Sequence, residues 1–404
     1  MRIMNLNLIL LGLMSTAILP LRAQNTTNLP TSMYGIGELS ASDGGRLSGM
    51  GNVGIALNRT GFQNTLNPAA ITKMDTTCFT FDVGAAAAYA RYSYLSDHSS
   101  SLTANPNRIS LGFRAMPRWY IMLGAAPYSS VGYFIRTEEV IEGMPTSSLT
   151  STFQGEGGLY RCYWTNAVRL TRQLSVGINM GIVMGTTTQS ETQENATVEY
   201  RSKKRAFYTD FGLHYEVQSD PEGMLWSAGA VFAPSLPLAH DNTLTYENSS
   251  IDEKLEKTYH EQQQYLPMHI GLGIAVQSPK WLLTADYNYT DWSRNSSSDT
   301  GFDYENQHKI NIGSSYTLHP RRPRSTELML GVGFGNSYIS MKNQKMNYLE
   351  VSAGVSLPIR YSYLSLGATW RRQMNPDSHV MQECRWSINL NLTFGERISK
   401  SKLQ

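Results

Sequence analysis

The strongest constraint on this chain is a period of two. The segment CRWSINLNLTF sets Trp386, Ile388, Leu390, Leu392 and Phe394 on one side, and Arg385, Ser387, Asn389, Asn391 and Thr393 on the other. Side chains alternate across a strand, so this run reads as a strand with one apolar and one polar face. A soluble sandwich also alternates, between core and water. Here aromatic residues sit at both ends of the run, as in the interface girdles of membrane barrels. RISLGFRA repeats the pattern, with Ile109, Leu111, Phe113 and Ala115 against Arg108, Ser110, Gly112 and Arg114. FYTDFGLHYEV sets Phe207, Phe211, Leu213 and Tyr215 against Asp210, His214 and Glu216. LSVGINMGIVMG, HKINIGSSY, TELMLGVGF and YLEVSAGVSL continue it, turning Asn179, Lys309, Asn311, Glu327 and Glu350 to the polar side.

About fourteen such segments begin near residues 78, 107, 118, 153, 173, 205, 223, 265, 280, 306, 325, 345, 361 and 383. An even number is what bacterial outer-membrane barrels have. Connections alternate between short (MPRW, TRQ, QSPK, PIRY) and long, polar ones (SDHSSSLTANPN, SETQENATVEYRSKKR, SRNSSSDTGFDYE). Short periplasmic turns and longer external loops give that asymmetry, and both termini then lie on the periplasmic side. The expected fold is all-β: an antiparallel transmembrane barrel of about 14 strands over residues 76–395, followed by a basic C-terminal tail, 396–404.

The first residues fix the compartment. MRIMNLNLILLGLMSTAILPLRAQ has Arg2 near its start, an apolar run from Leu8 to Leu21, and the small Ala23 before Gln24. That is the layout of a cleaved secretory signal, residues 1–23. No later apolar run reaches about 18 residues, so no helical span is expected. Hydrophobic residues make up only 41 % of the chain, which suits strands that hide one apolar face in alternation. The net charge of +2 is spread with mixed signs, so no basic face points to nucleic acid. Cys78, Cys162 and Cys384 lack zinc-ligand spacing and read as isolated wall residues.

Residues 24–75 do not alternate. Within them GMGNVGIAL satisfies G-x-G-x-x-G through Gly49, Gly51 and Gly54, and Asp75 falls about 20 residues on, where a ribose ligand would stand. A dinucleotide loop must follow a buried strand and open a helix. Polar SASDGGRLS precedes this one and a membrane barrel follows it. The glycines therefore read as tight turns and close approach to the barrel wall. A barrel of this size encloses a lumen too wide for side chains alone, so the segment is expected to fill it as a plug.

The ordered set GGRLSGMGNVGIAL, NTLNPAAITKMD and TFDVG resembles the FadL/TodX (OMPP1) family of outer-membrane transport proteins. Gly49-Met50-Gly51 and Asn67-Pro68-Ala69 match the family's hatch, and WYIMLGAAPYSSVGYF its broken third strand. The resemblance spans most of the mature chain and is strongest over residues 34–190. It implies a hatch-plugged barrel that takes up hydrophobic compounds such as long-chain fatty acids. They would be caught outside, held in an interior pocket and released sideways at the kinked third strand. Pro127 cannot donate a ladder hydrogen bond, and Gly124 and Gly132 ease a bend. The same residues also suit a simple bulge at the barrel rim. AHDNTLTYENSSIDEKLEKTYHEQQQY, by contrast, is polar and charged, not the greasy lip of a fatty-acid collector.

Inward charges either pair with a ligand or solvate the lumen and pair with the plug. Arg108 and Arg114 are the candidates to meet a ligand carboxylate. The histidines are scattered, and neither G-x-S-x-G nor H-E-x-x-H occurs, so no enzyme, metal or cofactor is expected. The expected partners are outer-membrane lipids, a hydrophobic small-molecule ligand, and the barrel-assembly machinery during insertion of a monomer. A non-transporting structural or secretion-associated barrel, or a general porin, is the alternative. An apolar cavity ending at a gap in strand three favours transport; a sealed polar lumen favours the others.

Overall fold

The computed structural model describes residues 29–40, 45–61, 63–74, 78–94, 97–141, 144–219, 223–251, 253–259, 263–296, 301–320, 325–341, 344–359, 362–374 and 381–397. The expected signal, Asp75 and the end of the expected tail lie outside them. The wall has fourteen antiparallel strands. They are β1 (Cys78–Tyr94), β2 (Asp97–Met116), β3 (Trp119–Ile141), β4 (Met144–Arg169), β5 (Leu174–Gln193) and β6 (Ala196–Gln218). β7 runs over Leu225–Ala233 and Leu236–Asn248, and β8 over Glu253–Tyr259, Gln264–Leu266 and Met268–Gln277. Then come β9 (Trp281–Asp291), β10 (Phe302–Tyr304 and Gln307–Thr317), β11 (Glu327–Met341), β12 (Gln344–Ile359), β13 (Ser362–Gln373) and β14 (Gln382–Arg397). β14 pairs with β1 from Gln382↔Ser93 to Arg397↔Cys78, which closes the ring and leaves no sheet edge to lipid there.

The alternating apolar residues face outward: Ile109 and Leu390 are 59 % and 45 % exposed, while Ser110 and Asn391 beside them are buried. Aromatic rows bound this apolar band. Phe79, Phe81, Phe113 and Phe394 cluster at the short-turn end, and Trp370, Trp386 and Tyr89 share a register row towards the other. The step from Phe79 to Tyr89 rises about 33 Å along the strand and, at a tilt of about 40°, about 25 Å along the axis. That is the height of an outer-membrane hydrocarbon band. Crossing needs only about 9–11 residues per strand. β4 has 26 and β3 and β6 have 23 each, so β3 to β8 continue past the band as a tall wall. SETQENATVEYRSKKR, expected as a loop, is therefore strand over most of its length. Its Thr and Val residues fit a pleated surface, and a sheet in water needs no apolar outer face to declare itself.

The described residues between 29 and 74 lie within the ring. The 3-10 helix Arg46–Met50 touches β10 to β14, and the 3-10 helix Pro68–Ile71 touches β3 to β6 on the opposite side. The contact is backbone against backbone. A Cβ on Gly49 would stand 2.6 Å from Gly354 Cα, and one on Gly331 would collide with the Met50–Gly51 peptide. Across the lumen, Cβ atoms on Gly177 and Gly212 would strike Pro68, and one on Gly229 the Ile55 carbonyl. Gly51 ends its helix at φ 77°, where a side chain would be strained. Met50, Val53, Ala56 and Leu57 pack with wall residues Ala275, Leu282 and Met329. Replacing Gly331 by Leu should leave the barrel closed but unseat the segment. Heat-modifiable migration on a gel should persist, while limited proteolysis should cut within residues 29–74 far faster than in the parent.

Candidate functional site

Two motifs of this segment lock it locally before they touch the wall. Asn67 caps the helix that follows: its Oδ1 accepts from Ala69 N at 2.9 Å, and Pro68 sits at the first turn, where no N–H is needed. Its Nδ2 donates to Ile55 O at 2.7 Å and to Leu213 O of β6 at 3.0 Å. One fully buried amide therefore joins two stretches of the segment to the barrel. The glycine loop also receives an anion after all. Gly54 N and Ile55 N donate to the Asp286 carboxylate of β9 at 2.6 and 3.0 Å. The nest that looked like a phosphate cradle is filled by the protein's own side chain.

The inward charges read from the sequence are largely committed to the same contact. Glu327 takes Arg46 and Arg59, each at 2.9 Å; Lys73 reaches Glu216 at 2.6 Å; His214 bonds the Ala56 carbonyl at 3.0 Å. Arg108, a candidate for a ligand carboxylate, instead pairs with Asp82 at 2.6 Å and donates to Gln63 O at 3.2 Å. Asn391 and Thr393 donate to the same Asp82. Its guanidinium is thus enclosed, and neither Arg108 nor Arg114 lines the internal cavity. Arg114 is half-buried opposite Tyr120 near the β2–β3 turn.

That cavity, of about 530 Å³, is lined instead by Glu38, Arg161, Asp210, Lys309, Glu350, Arg371, Glu383 and Arg385, with Tyr128, Tyr348 and Met346. Arg385 binds Glu38 and, at 2.7 Å, Glu383; Arg371 lies 4.0 Å from Glu38 and stacks on Tyr348; Lys309 pairs with Glu350 at 2.9 Å. Glu38, Arg161, Arg371 and Glu383 are not among the inward charges expected from the sequence. Arg161 and Arg371 alternate correctly in YRCYW and TWRRQ, but Glu38 lies in a segment with no period to read.

The wall breaks beside this cavity. β2 and β3 pair only from Met116↔Trp119 up to Ile109↔Ala125. β2 stays paired to β1 as far as Tyr94↔Asp97, and β3 to β4 as far as Ile141↔Met144. The freed edge of β3 is taken from inside. The two-residue strand Glu38–Leu39 pairs with Ser129 and Ser130, Ser40 N donates to Tyr128 O at 3.0 Å, and Leu29 N to Gly132 O at 2.8 Å. The Ser32 hydroxyl accepts from Gly132 N at 3.0 Å. Pro127 stands opposite Tyr160 and Ser129 opposite Leu159, so Tyr128 is the bulged residue. Proline has no N–H to lose at that point. Gly124, below the bulge, lies against the Tyr163 ring.

Above the break, the tall wall changes character. Gln189 donates to Met33 O at 2.9 Å and so marks the inward face. Register places Tyr133, Gly155, Gln189, Tyr200, Leu244 and Lys257 in one row on that face. Ile135, Phe153, Glu191, Val198, Tyr246 and Leu255 form the next. The opposite face carries Glu199, Arg201, Lys203, Arg205, Glu247 and Glu256. Within the band β6 is apolar outward and polar inward; its inward face stays polar at Lys204 and Ser202, and from Tyr200 upward Tyr and Val turn inward while the charges of β6 face outward. The segment expected to lack a greasy lip has one on its inner face: Leu255 is 58 % exposed, and Tyr259 packs on Tyr200 with ring centroids 5.4 Å apart. Composition averaged over both faces concealed it.

The fold is that of FadL-like channels. Among solved structures, the Ralstonia pickettii toluene transporter TbuX matches with a TM-score of 0.62 at 15% identity, covering 89% of this chain and 100% of that one. The Pseudomonas putida toluene transporter TodX gives 0.59 at 13%, covering 93% and 100%. A Pseudomonas aeruginosa FadL homologue gives 0.58 at 11%, covering 88% and 99%. No curated protein matches the sequence. A family model described as BamG matches residues 4–402.

The Glu327 cluster offers a direct test of how the segment is held. Glu327→Gln leaves Arg46 and Arg59 without their carboxylate, and breaking a buried pair costs roughly 3–5 kcal/mol. The cost should appear as loosening of the segment rather than loss of the barrel. Conductance of the variant in planar bilayers should rise above the parent's, with heat-modifiable migration retained.

Proposed function

The chain belongs to the BamG family, and from that premise and the geometry above we propose that it is an outer-membrane channel for small hydrophobic compounds. In this reading the tall wall faces outward and both termini face the periplasm. Compounds collect on the apolar inner face of the wall, enter the cavity below it, and leave sideways where β2 and β3 part. The observation that carries the proposal is the inward placement of Tyr200, Val198, Leu244, Tyr246 and Leu255 at the top of the wall. A wall standing in water has no lipid to satisfy, so an apolar face turned towards the mouth suits an apolar guest. Residues 24–75 act as the hatch, and Gly124, Pro127 and Gly132 flank the exit. The names of the toluene transporters with this fold are consistent with a guest of that class. The charged cavity floor suits guests that also carry a polar end, such as fatty acids.

Glu38 is the latch in this scheme. It sits in the strand that covers the β3 edge, and its carboxylate is held by Arg385 and Arg371. Release of that carboxylate would free the covering strand. A second reading, a structural or secretion-associated barrel that transports nothing, is favoured by the charged cavity lining and the many anchors of the hatch.

Two measurements separate the readings. Mass spectrometry of the barrel purified in detergent should find co-purified apolar compounds, absent from a variant with Leu244 and Leu255 both changed to Asn. Uptake of labelled decanoate or toluene by cells should fall several-fold in that variant and in Pro127→Val, and rise in Glu38→Gln. No bound compound, together with uptake unchanged in all three variants, would establish the non-transporting reading.

A further inference from the structure

We propose that Arg91 of β1 and Arg372 of β13 hold a phosphate group of an outer-leaflet glycolipid. The proposal takes only its orientation from the preceding reading and does not depend on transport. Register aligns Arg372, Cys384 and Arg91 in one row, on the outward face. The next outward row towards the membrane centre is Trp370, Trp386 and Tyr89, with the Tyr89 and Trp386 rings 6.0 Å apart. Below it the outward face is aliphatic, with Ile388 between Ala368 and Ala87. Aliphatic, aromatic and basic rows follow one another at a spacing of about 7 Å along the strand. Hydrocarbon, interface and headgroup phosphates follow in the same order in the bilayer.

The charge balance of this face is unusual for the molecule. Arg46, Arg59, Arg108 and Arg385 in the lumen each have a carboxylate. The basic run on outward β6 is also neutralised: Arg201 pairs with Glu199 at 2.9 Å, and Lys203 stands opposite Asp241. By contrast, among the described residues facing outward on β13, β14, β1 and β2 at and above the aromatic row, none is acidic. Arg91 is exposed, and the Tyr89 hydroxyl lies within hydrogen-bond reach of it. Two guanidinium groups two strands apart, with no internal anion, offer a fork geometry that fits phosphate oxygens. Acyl chains attached to that phosphate would run down over Trp386 and Ile388.

Native mass spectrometry of the full chain in detergent tests this, with three added probes: bisphosphorylated lipid A, its dephosphorylated counterpart, and phosphatidylglycerol. The parent should bind the phosphorylated lipid A at least fivefold more tightly than the dephosphorylated form, and more tightly than phosphatidylglycerol. The double variant Arg91→Gln/Arg372→Gln should lose that preference, while Arg91→Lys/Arg372→Lys should keep part of it. Both should retain heat-modifiable migration. Equal binding of the two lipid A forms by the parent, or an unchanged preference in the Gln variant, would overturn the proposal. Displacement of the bound lipid by millimolar inorganic phosphate alone would also overturn it, by showing a site for a free anion.

Discussion

The structure depends on the close seating of an irregular segment against a regular wall. A strand normally presents a row of side chains to its lumen, and side chains would hold the segment some ångströms away. Here the inward positions at the contact are glycines, from Gly177 and Gly212 on one side to Gly331 and Gly354 on the other. Backbone meets backbone, and the polar groups of the irregular segment are met by Asp286 and Asn311 of the wall and by its own Asn67, which donates to Ile55 O. In a lumen closed off from bulk solvent, an unmet peptide group would be expensive. The glycine seam and the polar inward residues are thus two parts of one solution.

Much of the wall was legible because its signal is repeated. A period of two, renewed over fourteen strands, gives the barrel and the face each residue takes, and Asp210, Lys309 and Glu350 were placed inward from that alone. Two things were not legible. Pairing between segments far apart in the chain has no local signature, so nothing in RISLGFRA announced that Arg108 would meet Asp82. The tall wall hides in the sequence for a different reason. Alternation between apolar and charged residues looks like a polar loop when composition is averaged, as in LTYENSSIDEKLEKTY. Applying the period of two there separates Leu244 and Tyr246 from Glu247, and Leu255 and Tyr259 from Glu256, leaving Lys257 on their face.

The lumen and the wall above it pull the functional reading in different directions. The cavity is charged and cross-braced, as in a static scaffold. The lip is apolar, and the wall is incomplete where β2 leaves β3. A membrane barrel removes its sheet edges by closure. An edge at Tyr128–Gly132 covered only by a short internal strand is therefore a weak point of the wall. The covering strand is tied down at Glu38 by Arg385 of β14, three strands round the wall from β3. Edge and cavity are linked through one side chain, which gives the break a means of being opened from within.

That link can be tested by locking it. Leu39 and Ser129 face each other across the covering strand and β3, and directly opposed antiparallel residues are about 4.5–5.5 Å apart at Cα, within disulfide range. A Leu39→Cys/Ser129→Cys chain, with Cys78, Cys162 and Cys384 changed to Ser, can be assayed for uptake of a labelled hydrophobic probe before and after reduction. The account predicts little uptake when oxidised and recovery to the parental rate on reduction. Equal uptake by the locked and reduced forms would contradict it.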